Sequence, residues 1–287
     1  MPAKLLEGGA LAEKILSSVR KEVARLKTET GKLPCLANIR VGDNYASARY
    51  EAAQRRRCES LGIRYQSHVL ASTARQKEVS DLLERLNRDA EVTGILLEVP
   101  LPEHLDPRQT LYALDPEKDV EGIHPKNLGE AIFREKRFGA CTALAVIELI
   151  NSCGKNLYGK EAVIVGSSDL VGKPTGLMLV DAFATTTVCH IGTSERGTLE
   201  KHVKRAEILV VAVGRPELIK GAWIRKGAIV VDVGINYHQG KMVGDVAFEE
   251  ARKRASWITP VPGGVGPLVS AILMRKVVEA FKKQTGA

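Results

Sequence analysis

Three apolar runs in the second half of the chain each end in a glycine, and that repetition could do chemistry. Ala162-Val163-Ile164-Val165 runs into Gly166-Ser167-Ser168-Asp169-Leu170-Val171-Gly172-Lys173-Pro174. Val211-Ala212-Val213 runs into Gly214, and Val231-Asp232-Val233 into Gly234-Ile235-Asn236. A glycine at a strand's carboxyl end lets backbone approach a bound phosphate. A following helix then offers free N–H groups and the positive end of its dipole. Ligands on open parallel sheets gather beyond those ends. The spacing therefore predicts a flat, dinucleotide-type ligand across Gly166, Gly214 and Gly234. The pattern is not G-x-G-x-x-G, and a tight turn holding nothing would use the same glycine. At Cys189-His190-Ile191-Gly192-Thr193 no carboxylate sits at the strand end to grip a ribose, and Glu195 comes later. His190 reads as a satisfied strand edge without chemistry.

Elements that would position these glycines can be read from periodicity. Leu11, Ile15, Val19, Val23 and Leu26 recur at helical spacing. Leu33–Val41, Ile63–Leu70 and Val92–Val99 read as strands. Helices fall between them, one capped by Ser47 and stopped at Gly62, another over Glu78–Leu86. Asp115–Asn127 reads as loop, and Thr142 is expected to cap a helix through Ser152. A second α/β series follows, with strands Ala162–Val165, Thr186–Cys189, Ile208–Val213 and Ala228–Val233. Its helices are Gly172–Ala184, Thr198–Lys204 and a final one over Gly266–Lys282. Alternating strands and helices predict an α/β protein with parallel sheets. The predicted division is residues 1–145 and residues 146–266.

The 287 residues carry 42 Lys and Arg against 34 Asp and Glu, a net charge of +8. No aromatic-interleaved basic patch accompanies that surplus, so no nucleic-acid partner is expected. No apolar run has membrane-spanning length. Cys35, Cys58, Cys141, Cys153 and Cys189 are odd in number and form no C-x-x-C pair, which argues against disulfides and zinc. No metal is expected, and the compartment is predicted to be cytoplasmic.

Several strings resemble the bifunctional methylenetetrahydrofolate dehydrogenase/methenyltetrahydrofolate cyclohydrolases (the FolD family). They are Gly166-Ser167-Ser168-x-x-Val171-Gly172-x-Pro174, Asp232-Val233-Gly234-Ile235-Asn236, Val243-Gly244-Asp245-Val246 and Thr259-Pro260-Val261-Pro262-Gly263-Gly264-Val265-Gly266-Pro267. In the first half, Val41-Gly42-Asp43-Asn44 with Ser47 and Tyr50 matches, as do Pro100-Leu101-Pro102 and Pro116-Glu117-Lys118-Asp119-Val120. The resemblance joins the last helix (267–287) to the first part, an N-terminal folate domain, makes the second a Rossmann-like domain, and implies a homodimer formed through the latter. It implies hydride transfer from methylenetetrahydrofolate to a nicotinamide cofactor, then hydration of the methenyl product. It assigns cofactor contacts to Gly166, Ser167, Ser168, Val171, Gly172, Val213, Gly214, Gly234 and Ile235. Substrate contacts fall to Tyr50, Glu98, Glu121, Pro262, Gly263 and Gly264, and catalytic roles to Tyr50 and positions 54 and 98.

The chain departs from that pattern where the chemistry lies. The family's Tyr-x-x-x-Lys is Tyr50-Glu51-Ala52-Ala53-Gln54, still one helical turn apart. Glutamine cannot take up or deliver a proton near neutral pH. Arg55 and Arg56 point elsewhere on the helix and stay protonated. A strand-end glutamine is replaced by Glu98, so a Lys–Gln pair becomes Gln–Glu, with a hydrogen bond expected between Gln54 and Glu98. Negative charge at Glu98 would favour a substrate carbon becoming cationic. The family aspartate is Glu121, reaching one methylene further, and Cys-Thr-Pro-x-Gly is Cys141-Thr142-Ala143-Leu144-Ala145. Ser167 and Ile191 replace groups that often meet an adenosine 2′-phosphate, which tilts the expectation from NADP towards NAD. The expected function is a dehydrogenase whose cyclohydrolase step is weak or lost. Two alternatives are a paralogue that binds a dinucleotide without folate chemistry, and an enzyme acting on another folate-like substrate.

Overall fold

The computed structural model describes residues 2–132 and 139–287. Two compact units emerge, one built mainly from Glu13–Glu130 and Ser270–Ala287, the other from the segment up to Ala12 and Ala140–Val269. The chain opens with β1 (Lys4–Leu5) and α1 (Gly8–Thr30).

The first unit continues through β2 (Cys35–Val41), α2 (Tyr45–Leu61), β3 (Arg64–Leu70), α3 (Gln76–Arg88), β4 (Gly94–Leu97), α4 (Pro107–Ala113) and α5 (Pro125–Ile132). Its sheet is parallel, in the order β3-β2-β4, with Leu36 opposite Tyr65 and Gly94. Side chains alternate along each strand, so Asn38 and Arg40 share a face with Tyr65 and Ser67. The opposite face carries Ala37, Ile39, Val41, Ile95 and Leu97 onto Val79, Leu82, Leu83 and Leu86 of α3. Burying each such side chain contributes roughly 2 kcal/mol. Lys118 reaches back to close the carboxyl end of α3, its Nζ donating to the carbonyls of Leu86 (2.9 Å) and Asp89 (2.6 Å). Asn44, not Ser47, caps α2: its Oδ1 accepts from the Ser47 N–H at 3.2 Å. The helix begins at Tyr45, which leaves Ser47 inside its first turn. Gly62 ends it with φ +75°, as expected for a glycine stop.

The second unit holds α6 (Cys141–Ser152), β5 (Glu161–Val165), α7 (Gly172–Asp181), β6 (Thr185–Cys189), α8 (Ile191–Glu195), α9 (Leu199–Arg205), β7 (Ile208–Val211) and β8 (Ile229–Asp232). After these come β9 (Asn236–His238), β10 (Lys241–Val243), α10 (Phe248–Arg252), β11 (Trp257–Ile258) and α11 (Val265–Thr285). Its parallel sheet runs β1-β11-β8-β7-β5-β6, with β9 and β10 forming a separate hairpin. The first strand therefore comes from the opposite end of the chain, which two residues of local pattern could not reveal. The unit boundary lies before α6 rather than at residue 146. Cys141, Ala143, Leu144, Ala145, Val146, Leu149 and Ile150 of α6 are all buried, and the helix packs on α7 and β8. Ala140 is its N-cap, with no side-chain cap, so the cap expected from Thr142 does not form. The final helix starts at Val265, and its residues from Ser270 onward belong to the first unit.

Among the described residues no helix is long and apolar enough to cross a membrane. Leu83 is fully buried beneath the first sheet. Leu83→Ala is expected to cost about 3 kcal/mol in urea unfolding, the transfer and cavity cost of a large-to-small core change. The exposed Lys77→Ala should shift the midpoint by less than about 0.5 kcal/mol.

Candidate functional site

Each unit gathers candidate residues at the carboxyl ends of its strands. In the first unit, α2 places Tyr50 and Gln54 one turn apart. Tyr50 is 37% exposed and Gln54 only 1%. Gln54 Oε1 accepts a hydrogen bond from Ser270 Oγ of α11 at 3.1 Å. Glu98 directly follows β4 and its N–H donates to the Ile39 carbonyl at 2.9 Å. Its side chain is buried and Oε1 has no partner. The expected hydrogen bond from the Gln54 amide to Glu98 does not form; Gln54 is held instead through its carbonyl oxygen by Ser270. On neighbouring strands, both amide atoms of the wholly buried Asn38 and the Tyr65 hydroxyl are likewise unpartnered. Asn38 and Tyr65 were missed in the sequence. A lone polar residue in an apolar strand, as Asn38 is in Leu36-Ala37-Asn38-Ile39, was the available signal.

The cations of this cluster are already committed. Arg40 Nε donates to Glu51 Oε2 at 2.9 Å, and Ser67 Oγ donates to Glu51 Oε1. Arg55 lies 3.7 Å from Glu51 and 5.5 Å from the centre of the Tyr65 ring. Burial opposes ionisation of Glu51, but Ser67 and Arg40 outweigh it and hold its pKa below the usual carboxylate value.

Glu121 is half-buried, on a turn that Asp119 organises. The Asp119 carboxylate accepts from Gly122 N–H (2.9 Å), His124 N–H (2.8 Å) and Asn127 Nδ2 (2.7 Å). The stretch expected to be loop thus becomes a fixed turn leading into α5.

In the second unit, the glycine turns make close intramolecular contacts. Gly166 has φ +120°, and a Cβ there would stand 2.2 Å from the Ala212 oxygen. A Cβ on Gly172 would stand 2.0 Å from the Gly166 oxygen. The first turn of α7 does not offer the free N–H groups expected of it. Val171 and Gly172 donate to Ser168 Oγ, Lys173 donates to the Ser168 carbonyl, and Pro174 has no N–H. The amides of Ser167, Ser168, Asp169 and Leu170, in contrast, have no partner among the described residues. This short run of backbone donors beside a side-chain-free Gly166 suits phosphate oxygens. His190 caps α8, its Nδ1 accepting from the Gly192 N–H at 3.2 Å. Ile191 is exposed.

Two buried aspartates tie together the ends of β7 and β8. Asp232 accepts from the N–H groups of Gly234 (3.0 Å), Asp245 (3.0 Å) and Val246 (2.8 Å). Asp245 accepts from those of Val213 (2.7 Å), Gly214 (3.0 Å) and Arg215 (2.8 Å). Gly234 and Gly244 leave the room: a Cβ on either would stand within 2.2 Å or 1.9 Å of a carboxylate atom. Burial, resisted by the Asp245 and Val246 amides and reinforced by the Asp245 charge, pushes Asp232 up to about 7. Neither aspartate was assigned a role from sequence, although acids beside Val-rich strand ends must be hydrogen-bonded if buried. Pro262, Gly263 and Gly264 lie in this same unit, whereas Tyr50, Gln54, Glu98 and Glu121 belong to the other. The Gly263 carbonyl accepts from Gly8 N–H at 3.0 Å, and Gly264 packs where a Cβ would strike Thr259.

Two family models match these units. Residues 6–121 match the catalytic domain of tetrahydrofolate dehydrogenase/cyclohydrolase, and residues 140–285 match its NAD(P)-binding domain. The chain belongs to the tetrahydrofolate dehydrogenase/cyclohydrolase family. It is 44% identical over 282 residues to the bifunctional protein FolD of Magnetococcus marinus, covering 98% of each chain. The crystal structure of the FolD enzyme of Campylobacter jejuni superposes with a TM-score of 0.93 at 41% identity, covering 98% of this chain and 99% of that one. The Trypanosoma brucei FolD structure, complexed with NADP and an inhibitor, gives 0.95 at 35% identity over the full length of both. Among the described residues no group of three or more His, Cys, Asp or Glu could hold a metal ion.

Within this family member the Glu98 carboxyl, like Asp232, is raised towards neutrality, but without backbone donors on its free oxygen. Burial pushes its pKa up to about 7; the Asn38 amide draws it down, Glu51 repels its charge and Arg40 attracts it. Asn38 achieves this by proximity, since its amide makes no hydrogen bond of regular geometry. A carboxyl raised in the folded state stabilises fully below its unfolded pKa and loses that contribution as pH rises through the folded value. Glu98 therefore costs stability progressively from about pH 4.5 to about pH 7. The neutral Glu98→Gln variant should match wild type in Tm at pH 5 and exceed it at pH 8. The gap is expected to be at most on the order of 3 kcal/mol, each pKa unit being worth about 1.4 kcal/mol. Thermal scans at the two pH values check this, and an equal offset at both would refute it.

Proposed function

We propose that this protein oxidises 5,10-methylenetetrahydrofolate to the methenyl form with a nicotinamide dinucleotide, and that hydration of the methenyl product is slow. The observation carrying this reading is Gln54, buried one turn from Tyr50 with its amide oxygen tied to Ser270. An amide relays no proton near neutral pH. The cations that pair with Glu51 in the same unit, Arg40 and Arg55, do not deprotonate. Curated relatives are named bifunctional, which supports the substrate class. When bound, the dinucleotide supplies the hydride acceptor. Glu98, ionised, offsets the positive charge that develops on the one-carbon unit as hydride leaves. Glu98 also exchanges a proton near neutrality, so residual hydration runs through it. Tyr50 and Glu121 are assigned contact with the substrate, and Pro262, Gly263 and Gly264 the same role.

Cofactor contacts fall to Gly166, Ser167, Ser168, Val171, Gly172, Val213, Gly214, Gly234 and Ile235. Residues 166–172 and 189–195 contain no Lys or Arg to meet a 2′-phosphate, so NAD is the favoured cofactor over NADP. A second reading, another folate-like substrate, is favoured by the orphaned Asn38 and Tyr65 groups beside Glu98.

Absorbance assays with methylenetetrahydrofolate and either dinucleotide separate these readings. The expected result is reduction, faster with NAD, and accumulation of the methenyl compound. Gln54→Lys should raise methenyl hydrolysis by about a hundredfold, the usual scale of a restored general acid–base group. Rapid hydrolysis by the wild type that persists in Glu98→Gln would sink the proposal. No turnover with either dinucleotide would favour the second reading.

The protein is further proposed to be a cytoplasmic homodimer. β6 is an edge strand, and Leu177, Val180, Phe183, Val188 and Tyr158 are exposed on it and around α7. Tyr158 and Phe183 stack 5.7 Å apart. Exposed apolar groups this dense need a cover, and an edge strand offers unpaired backbone to a second copy. Phe183→Glu is expected to shift the mass measured by light scattering from dimer to monomer, and a wild-type monomer would refute the assembly.

A further inference from the structure

One buried carboxylate governs the turn that leaves β7. Asp245 Oδ2 accepts from the N–H groups of Val213 and Gly214, and Oδ1 from Arg215 N–H and Asn236 Nδ2 at 2.9 Å. Three successive peptide planes are fixed by that one group. A trans peptide carries its carbonyl opposite its N–H. Turning the Val213 N–H onto Asp245 therefore turns the Ala212 carbonyl the other way, and that carbonyl is the atom seated against Gly166. The spacing between the β5 turn and the β7 turn thus follows from where Asp245 sits. Asp245 is itself fully buried and held from behind, its own N–H donating to Asp232 Oδ1 at 3.0 Å.

We propose that Asp245 is a positioning residue for dinucleotide binding: it touches no ligand, but it fixes Val213–Arg215 and, through the Ala212 carbonyl, the distance to the Gly166 turn. This rests on reading the second unit as a dinucleotide site. The carboxylate suits the role because three backbone donors and one amide converge on it. Asparagine at the same position would turn an N–H2 group towards two of those donors, so the turn would have to open.

The test uses the intact protein. NAD and NADP are titrated into wild type, Asp245→Asn, Asn236→Ala and Val230→Ala by calorimetry, and KM is measured for dinucleotide and folate substrate separately. Val230 is buried in the core of the same unit and contacts neither aspartate in the hydrogen-bond network, so it reports on stability loss alone. Asp245→Asn is expected to raise the dinucleotide Kd and KM by about tenfold or more, leaving the folate KM within about twofold. Asn236→Ala, which removes one donor of four, should give a smaller rise of about threefold. Val230→Ala should lower Tm without changing Kd. The inference is overturned if Asp245→Asn binds like wild type, or loses no more affinity than Val230→Ala at equal loss of Tm. Should Asp245→Asn fail to fold, an unchanged Kd in Asn236→Ala overturns it instead. Failure of the wild type to bind either dinucleotide would overturn the functional reading itself, a result visible before any variant is measured.

Discussion

A carboxylate taken out of water must be surrounded by donors, and both sheets of this protein are organised around how that demand is met. Asp232 and Asp245 meet it with backbone N–H groups at the ends of β7 and β8. Asp119 meets it with the amides of the turn before α5. Glu51 meets it with Arg40 and Ser67. In each case the acid is a folding instruction for the loop beside it, because losing one acceptor would strand several buried donors at about 1–3 kcal/mol each. Glu98 is the exception. Its Oε1 finds no donor, its potential cation is spent on Glu51, and it keeps its proton to about pH 7.

That exception is where fold and function meet. On the proposed reading, Glu98 and Gln54 do more than remove a base: the titratable group then sits at a strand end rather than on a helix and is an acid rather than an amine. Under that proposal hydride removal needs only favourable charge, whereas hydration needs a group that can pass protons on, which an amide does not.

The glycines carry a related lesson. Gly166, Gly172, Gly234 and Gly244 each sit where a Cβ would strike backbone or a carboxylate. Their demand is intramolecular: each makes room for a neighbouring carbonyl or carboxylate. The amides left unpartnered belong to Ser167–Leu170, in the loop, and the helix start after them is already capped by Ser168.

The amino-acid sequence by itself determined the α/β class, the strands at the two centres, the glycine-ended turns and the family, because these depend on local periodicity and on contiguous strings. It also drew attention to Gln54 and Glu98, whose surroundings the structure then supplied. Only the tertiary structure decided that Gln54 pairs with Ser270, some two hundred residues away, and that Asn38 and Tyr65 are left unpartnered on the same sheet face as Arg40. It also decided that β1 completes the sheet of the second unit and that α6 belongs wholly to that unit. Hydrogen-bond competition and burial are settled by which segments come together in space. A one-dimensional pattern carries residue types and spacing, but it does not say which of several donors reaches an acceptor first.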